Sequence, residues 1–248
     1  MFATPDDDAV PPDTSATIPG GRSGTGRGRE SLALLAERVR PTAASRTRLL
    51  PVDPALAALL PEGGLRRGAT IVVATRGGAG GGISLSVALL AAASAGGSWC
   101  AAVGLPDLGA VALADLGIDL GRFALVPSPG PAWAEATATL FDGIDAVLLC
   151  PPFPPRPAMA RRLVARARDR HTVLVVVPGR AGWPEPPDVH LAVDGARWDG
   201  IGQGTGHLRR RRLTVTATGR RSATRPRRHD LWLPSPAGTV DGVDGADR

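Results

Sequence analysis

The sequence contains no lysine, so all 29 of its basic residues are arginine, and it has only five glutamates: Glu30, Glu37, Glu62, Glu135 and Glu185. The first absence removes the ammonium group that most phosphate-binding loops use to neutralise their ligand. Richness in Arg, Ala, Gly and Pro reflects genomic base composition, so a single arginine carries little meaning by itself. Cysteine is nearly absent. Cys100 and Cys150 both fall at the ends of apolar, strand-like runs, where a free thiol behaves as a small hydrophobe, so a reduced cytosolic setting is expected rather than a disulfide. No long apolar run exists either. The longest, Ile83 to Ala95, falls short of the roughly 20 residues needed to span a bilayer, and no secretory leader pattern opens the chain. These absences predict a cytoplasmic protein without a membrane partner.

The residues that would carry common chemistries are equally sparse. His171, His190, His207 and His229 are scattered, and the two cysteines lack ligand spacing, so no metal site is expected. No nucleophile–base or paired-carboxylate arrangement stands out, hence no catalytic residue and no cofactor is assigned. Trp99, Trp133, Trp183 and Trp198 are too dispersed to form a stacking platform for single-stranded nucleic acid and read as packing residues.

What the chain does have is 43% hydrophobic residues in a length of 248, enough for one ordinary core. Residues 1–29 are rich in Pro, Gly, Ser, Thr and Asp and read as disordered, as do residues 236–248. Between them, 30–235 read as one domain. It opens with an amphipathic helix from Glu30 to Arg40 that Pro41 stops, predicted to pack on the domain. From Ala69 a pattern of short strands and helices begins: ATIVVA, a helix over 83–95, SWCAAV, FALV at 123–126, a helix begun by Pro131, AVLLC at 146–150, an arginine-studded helix around 158–168, and TVLVVV at 172–177. Unbroken apolar runs are what strands buried on both faces look like. The alternation predicts an α/β fold with a mainly parallel sheet and helices on both faces. VHLAV at 189–193 adds a strand, and 206–233 should form a terminal antiparallel hairpin.

Between the first strand and its helix, 77–84 read GGAGGGIS. Gly77 and Gly82 occupy the glycine positions of a phosphate loop, with Gly80 between them, and Ser84 holds the hydroxyl position. Ile83 stands where the loop lysine belongs. A charged hydrogen bond is worth about 1.5–3 kcal/mol, so this loss alone costs roughly ten- to a hundredfold in affinity. A retained tight turn, with Ile83 in the core, is therefore favoured over a nucleotide site, although backbone N–H groups at a helix N-terminus still attract anions.

The span from Leu65 to Cys150 resembles the ATPase core of RecA in the order and spacing of LRRGATIVVA, the glycine loop, a helix, GSWCAAV, LADLGIDLGRF and AVLLC. That resemblance implies a catalytic glutamate after SWCAAV and a magnesium-side carboxylate at the end of AVLLC. Here the first region reads GLPDLG, with only Asp107, and the second ends in Cys150, Pro151 and Pro152. Without those charges phosphoryl transfer loses its electrostatic support. Across roughly 30–235 the chain resembles the actinobacterial ImuA-type proteins. This implies a non-catalytic accessory factor in DNA-damage tolerance, joined to an ImuB-like adaptor related to Y-family polymerases and through it to an error-prone C-family polymerase. Two alternatives stand beside it: a SulA-like division inhibitor, and an unconventional DNA-dependent ATPase that brings Arg76 or Arg66 to the phosphates.

The C-terminal segment is the most asymmetric in charge. Between Gly200 and His229 there is no acid, while Arg209, Arg210, Arg211, Arg212, Arg220, Arg221, Arg225, Arg227 and Arg228 are present. Successive arginines of the 209–212 run should point to alternate faces of a strand at an edge or hairpin end. With Trp232 beside them they are candidates for contact with a protein partner or with DNA, in a chain of net charge +6.

Overall fold

The computed structural model describes residues 48–179, 182–201, 206–220 and 225–243. The helix expected over Glu30–Arg40 and the segment 1–29 lie outside them. The described chain is an α/β fold built on a mixed nine-stranded sheet, with a small two-stranded sheet beside it. β1 (Leu49–Leu50) pairs with β2 (Leu65–Arg66), and the short helix α1 (Pro54–Ala57) lies between them, capped by the Asp53 carboxylate accepting from the Ala55 N–H at 2.9 Å.

Then follow β3 (Thr70–Thr75), α2 (Gly82–Ala95), β4 (Cys100–Val103), α3 (Ala110–Asp115), β5 (Phe123–Val126), α4 (Trp133–Leu140), β6 (Ala146–Leu149), α5 (Pro157–Asp169) and β7 (Val173–Val176). The chain ends in β8 (Val189–Ile201), β9 (Gly206–Gly219), β10 (Arg227–Trp232) and β11 (Asp241–Gly242). The strand order is β11-β10-β9-β8-β3-β7-β6-β4-β5. The six strands from β8 to β5 run parallel, and β9, β10 and β11 add on antiparallel to β8 and to one another.

Two apolar clusters account for this layout. Ile71, Val73, Ala102, Leu148 and Val175 join Leu85, Leu89 and Leu90 of α2 in one cluster. Their neighbours Val72, Val103, Leu149, Leu174 and Val176 join Trp133 and Leu140 of α4 and Leu163 of α5 in the other. Alternate residues of a strand point to opposite faces, so both faces of these strands are covered. α2 has no charged residue because it is buried almost all round, whereas α5 buries Ala160, Leu163 and Ala167 and turns its arginines outward. Each fully buried leucine contributes roughly 1.5–3 kcal/mol.

Ion pairs close the amino-terminal edge of the parallel strands. Asp188 accepts from Arg66 at 2.8 Å and from the Thr70 N–H at 3.0 Å, while Asp145 accepts from Arg67 at 2.7 Å and from the Trp99 N–H at 2.9 Å.

Two strands depart from the sequence reading. β8 continues eight residues past the expected Val193, with register shifts at Val193/Gly195 and Asp199/Ile201, so the 206–233 hairpin is flanked by a longer antiparallel partner. Residues 236–243, read as part of a disordered tail, instead turn back on the domain. Ser235 N–H donates to the Thr239 carbonyl at 2.8 Å, Val240 is buried in the α2-side cluster, and β11 pairs with β10. Val240 and these backbone bonds together anchor a stretch whose composition is that of a loop. Among the described residues no helix is long and apolar enough to cross a membrane.

Candidate functional site

The glycine loop sits at the carboxyl end of β3. The Arg76 N–H donates to the Val193 carbonyl at 2.9 Å, which extends the β3–β8 ladder by one step, and the Ala79 N–H closes a turn on the Arg76 carbonyl at 2.9 Å. Gly77, Gly78 and Gly81 have φ of +57°, +75° and +101°, the left-handed region that glycine enters without strain. Gly81 is also the N-cap of α2 and has no room: a Cβ there would lie 2.8 Å from Leu213 Cδ2 and 3.3 Å from Arg211 Cζ. At Gly82 a Cβ would lie 2.9 Å from Thr75 Cγ2. Gly80 differs, since its φ is not left-handed and a Cβ there would meet nothing within 4 Å.

Ile83 corrects the sequence reading. It was expected in the core, but it is 43% exposed, because the first turn of α2 presents this position to solvent beside the loop. Ser84 is half-buried, and the buried Ser86 hydroxyl donates to the Gly82 carbonyl at 2.8 Å. Of the two arginines proposed for an unconventional ATPase, only Arg76 lies beside the loop. Arg66 lies at the other edge of the sheet, about 17 Å away along β3 at about 3.3 Å per residue, held by Asp188 at 2.8 Å and Glu62 at 3.7 Å. Arg76 is next to the loop but pairs with Asp194 at 3.1 Å.

What approaches the loop is β9. Beyond Val193, β8 outruns β3, and its outer residues pair only with β9 in the order Gly195↔Thr214, Ala196↔Leu213, Arg197↔Arg212, Trp198↔Arg211, Asp199↔Arg210. The resulting ribbon overhangs the carboxyl edge of the parallel strands. Leu213, Val215 and Ala217 are buried and face α2, and Arg211 continues their phase, 9% exposed, with its guanidinium on Gly81. Arg211 Nε donates to the Leu233 carbonyl at 2.7 Å, and the guanidinium lies 5.0 Å from the centre of the Trp198 ring. No carboxylate pairs with it among the described residues. Burial lowers its pKa, although an arginine stays protonated.

Arg210 and Arg212, the neighbours on either side, occupy the opposite face. Arg210 stacks over Trp232 at 3.8 Å and pairs with Asp199 at 3.2 Å, and Arg212 pairs with Asp230 at 2.7 Å. Asp230 also accepts from the Thr214 hydroxyl at 2.6 Å. Burial pushes the Asp230 carboxyl up, but the hydrogen bonds from Thr214 and Arg212 and the charges of Arg212 and Arg228 bring it below its ordinary value. Trp232 is 6% exposed and so buried within the chain. Arg209, Arg220, Arg225 and Arg228 are exposed and Arg227 is half-buried, while Arg221 lies outside the described residues.

Where the carboxyl ends of β4 and β6 meet, the backbone is crowded. Gly104 (φ +76°) lies so close to the end of β6 that a Cβ would collide with the Cys150 carbonyl oxygen. Asp107 is exposed on the following loop. Burial, with the Asp145 charge added, pushes the Cys100 thiol up to about 12, and burial raises Cys150 as well, so neither is a ready nucleophile. Among the described residues no group of three or more His, Cys, Asp or Glu gathers.

Residues 58–185, from just after α1 to the loop before β8, match the family described as MT3502 N-terminal domain. The chain belongs to that family. Within the family region lie the glycine loop and strands β3 to β7, whereas the ribbon that carries Arg211 and Trp198 follows it. The chain is also 36% identical over 152 residues to a protein of Mycobacterium tuberculosis (strain ATCC 25618 / H37Rv) described as uncharacterized protein Rv3395c, covering 61% of this chain and 68% of that protein.

The sequence reading located the loop and the basic segment separately. It missed that one arginine of the run touches the loop, and that Asp199 and Asp230 neutralise two others. The signal was available in part: Arg211 is in phase with Leu213 and Val215, the apolar face of β9.

Proposed function

We propose that this member of the MT3502 family is a non-catalytic accessory protein of the ImuA type, whose RecA-like core is a scaffold for protein contacts in error-prone translesion DNA synthesis. On this reading its partner is an ImuB-like adaptor related to Y-family polymerases and, through that adaptor, a C-family polymerase, with DNA close by. The observation that most supports the non-catalytic part is the replacement of charged residues at the positions hydrolysis needs. Ile83 stands at the lysine position, the strand that would end in a metal-side carboxylate ends in Cys150, Pro151 and Pro152, and Asp107, the acid of the 104–109 loop, is exposed. The order of strands, glycine loop and helices, and the mycobacterial relative, support the RecA-like and actinobacterial parts.

The contact surface on this reading is the set of exposed arginines Arg209, Arg220, Arg225 and Arg228, with Leu208, itself 50% exposed, beside Arg209. Deleting the C-terminal segment would not test it, because Leu213, Val215, Leu231, Leu233 and Val240 belong to the core. Reversal of the four exposed charges to glutamate keeps that core. Co-purification with an ImuB-like partner should be lost in this variant and retained by the unchanged chain. Equal retention by both, or by neither, would refute the reading. Purified protein should release no phosphate from ATP above background, with or without DNA.

A further inference from the structure

We propose that the glycine loop and Arg211 together form a binding site for a tetrahedral phosphate group, supplied as inorganic phosphate or as the terminal phosphate of a free nucleotide. The proposal does not rest on the accessory-protein reading, since a phosphate can be held where it is not hydrolysed.

Three independent observations lead to it. The first is an electrostatic mismatch. Arg211 is more than nine-tenths buried, and its guanidinium packs on Gly81, the N-cap of the 14-residue helix α2. A helix N-terminus carries the positive end of the macrodipole, so a cation is the disfavoured charge there. A buried charge ordinarily has a carboxylate partner, and the arginines on either side follow that rule with Asp199 and Asp230. Arg211 has the Leu233 carbonyl on Nε and the Trp198 ring, but among the described residues no carboxylate. An anion at the loop would remove both penalties at once.

The second is space. Gly77, Gly78 and Gly80 are exposed and a Cβ on any of them would meet nothing within 4 Å, so the loop is open to a ligand beside the N-terminus of α2, whose first-turn N–H groups have no partner within the helix. The third is the kind of cation. A guanidinium offers a planar fork that matches two oxygens of a phosphate, and it is less strongly hydrated than an ammonium, which suits a buried position. Strand β9 thus supplies, from far along the chain, the charge that Ile83 withholds. Trp198, 42% exposed and opposite Arg211 in the ladder, lies against the same guanidinium.

The test is calorimetric titration of the full chain, at low ionic strength and without divalent metal, with inorganic phosphate and separately with ADP, paired with thermal unfolding. The unchanged protein should bind with a Kd of about a millimolar or tighter, and its melting point should rise with phosphate. Arg211→Met should weaken binding at least tenfold and abolish that rise, while melting no lower than the unchanged protein in the absence of anion, because replacing an uncompensated buried charge by an apolar chain is neutral or stabilising. Gly80→Asp covers the case in which the first variant fails to fold: its side chain enters open space and sets a carboxylate where the phosphate would sit, so the protein folds and phosphate binding is lost, whereas Gly80→Ala keeps it.

The proposal is overturned if the unchanged chain binds neither phosphate nor ADP at 10 mM or so, roughly tenfold above the expected Kd. It is equally overturned if Arg211→Met and Gly80→Asp bind as well as the unchanged chain. Binding of an oligonucleotide without terminal phosphates, in the absence of phosphate or ADP binding, would also refute it by assigning the site to a phosphodiester backbone.

Discussion

Strands β4, β6 and β7 bury every residue, whereas β9 buries every second one from Arg211 to Ala217. The first pattern belongs to strands with helices on both faces, and the second to a sheet with one face on the core and one in water. The difference decides where charge goes. In the parallel half, ion pairs such as Arg66–Asp188 and Arg67–Asp145 are confined to the strand ends. In the antiparallel half, Arg212–Asp230 and Thr214–Asp230 form a polar layer along the sheet itself. Arg211 breaks this division, as a charge on the apolar face, and it does so beside the glycine loop.

The comparison breaks most severely at Gly104. Gly104→Ala sets a Cβ on the Cys150 carbonyl and demands a left-handed φ of an L-residue, with rigid backbone on both sides. It should remove at least about 3 kcal/mol or prevent folding, read by urea unfolding. Full stability in this variant would mean that the carboxyl ends of β4 and β6 can separate.

A pair of substitutions on one strand sharpens the contrast between faces. Leu213 is fully buried against Gly81 and the α2-side cluster, so Leu213→Ala should cost about 2–4 kcal/mol. Thr218, on the polar face of the same strand, reaches the His190 carbonyl only at 3.5 Å, and Thr218→Ala should change stability by less than about 0.5 kcal/mol. Similar losses at both positions would show that the outer face of β9 is covered by something else.

The same contrast governs what could be read from the sequence. Residues 146–150 and 172–177 announced themselves because burial on two faces leaves no polar position in the run. The stretch LTVTAT was legible as a strand through its alternation, but its partner was not: DGARWDG, the outer half of β8, holds glycines at 195 and 200 that look like a turn and serve as irregularities in a long ladder. Val240 was missed because a single apolar residue in PAGTVDG carries no period. The candidate site was half legible. Its glycines form a local motif, whereas the approach of Arg211 depends on how far β8 outruns β3, a property of register between segments more than 100 residues apart.

The smallest expected effect concerns the polar layer. Asp230→Asn removes the carboxylate that holds Arg212 at 2.7 Å and Thr214 at 2.6 Å, and for a half-exposed pair of this kind the loss should be about 1 kcal/mol at neutral pH. Its pH dependence is the more discriminating measurement. The folded-state pKa of Asp230 lies below its unfolded value, so the unfolded chain takes up the proton first as pH falls. The stabilisation from this group is fully present above the ordinary carboxylate pKa of about 4, and is lost as pH falls from there through the lower folded value. The difference in stability between the unchanged chain and Asp230→Asn should therefore shrink over that acid window and stay constant from pH 5 to 8. A difference that instead grows toward acid would mean that the Asp230 carboxyl is raised on folding, and that the layer across β9 and β10 is held by packing on Trp232 rather than by its charges.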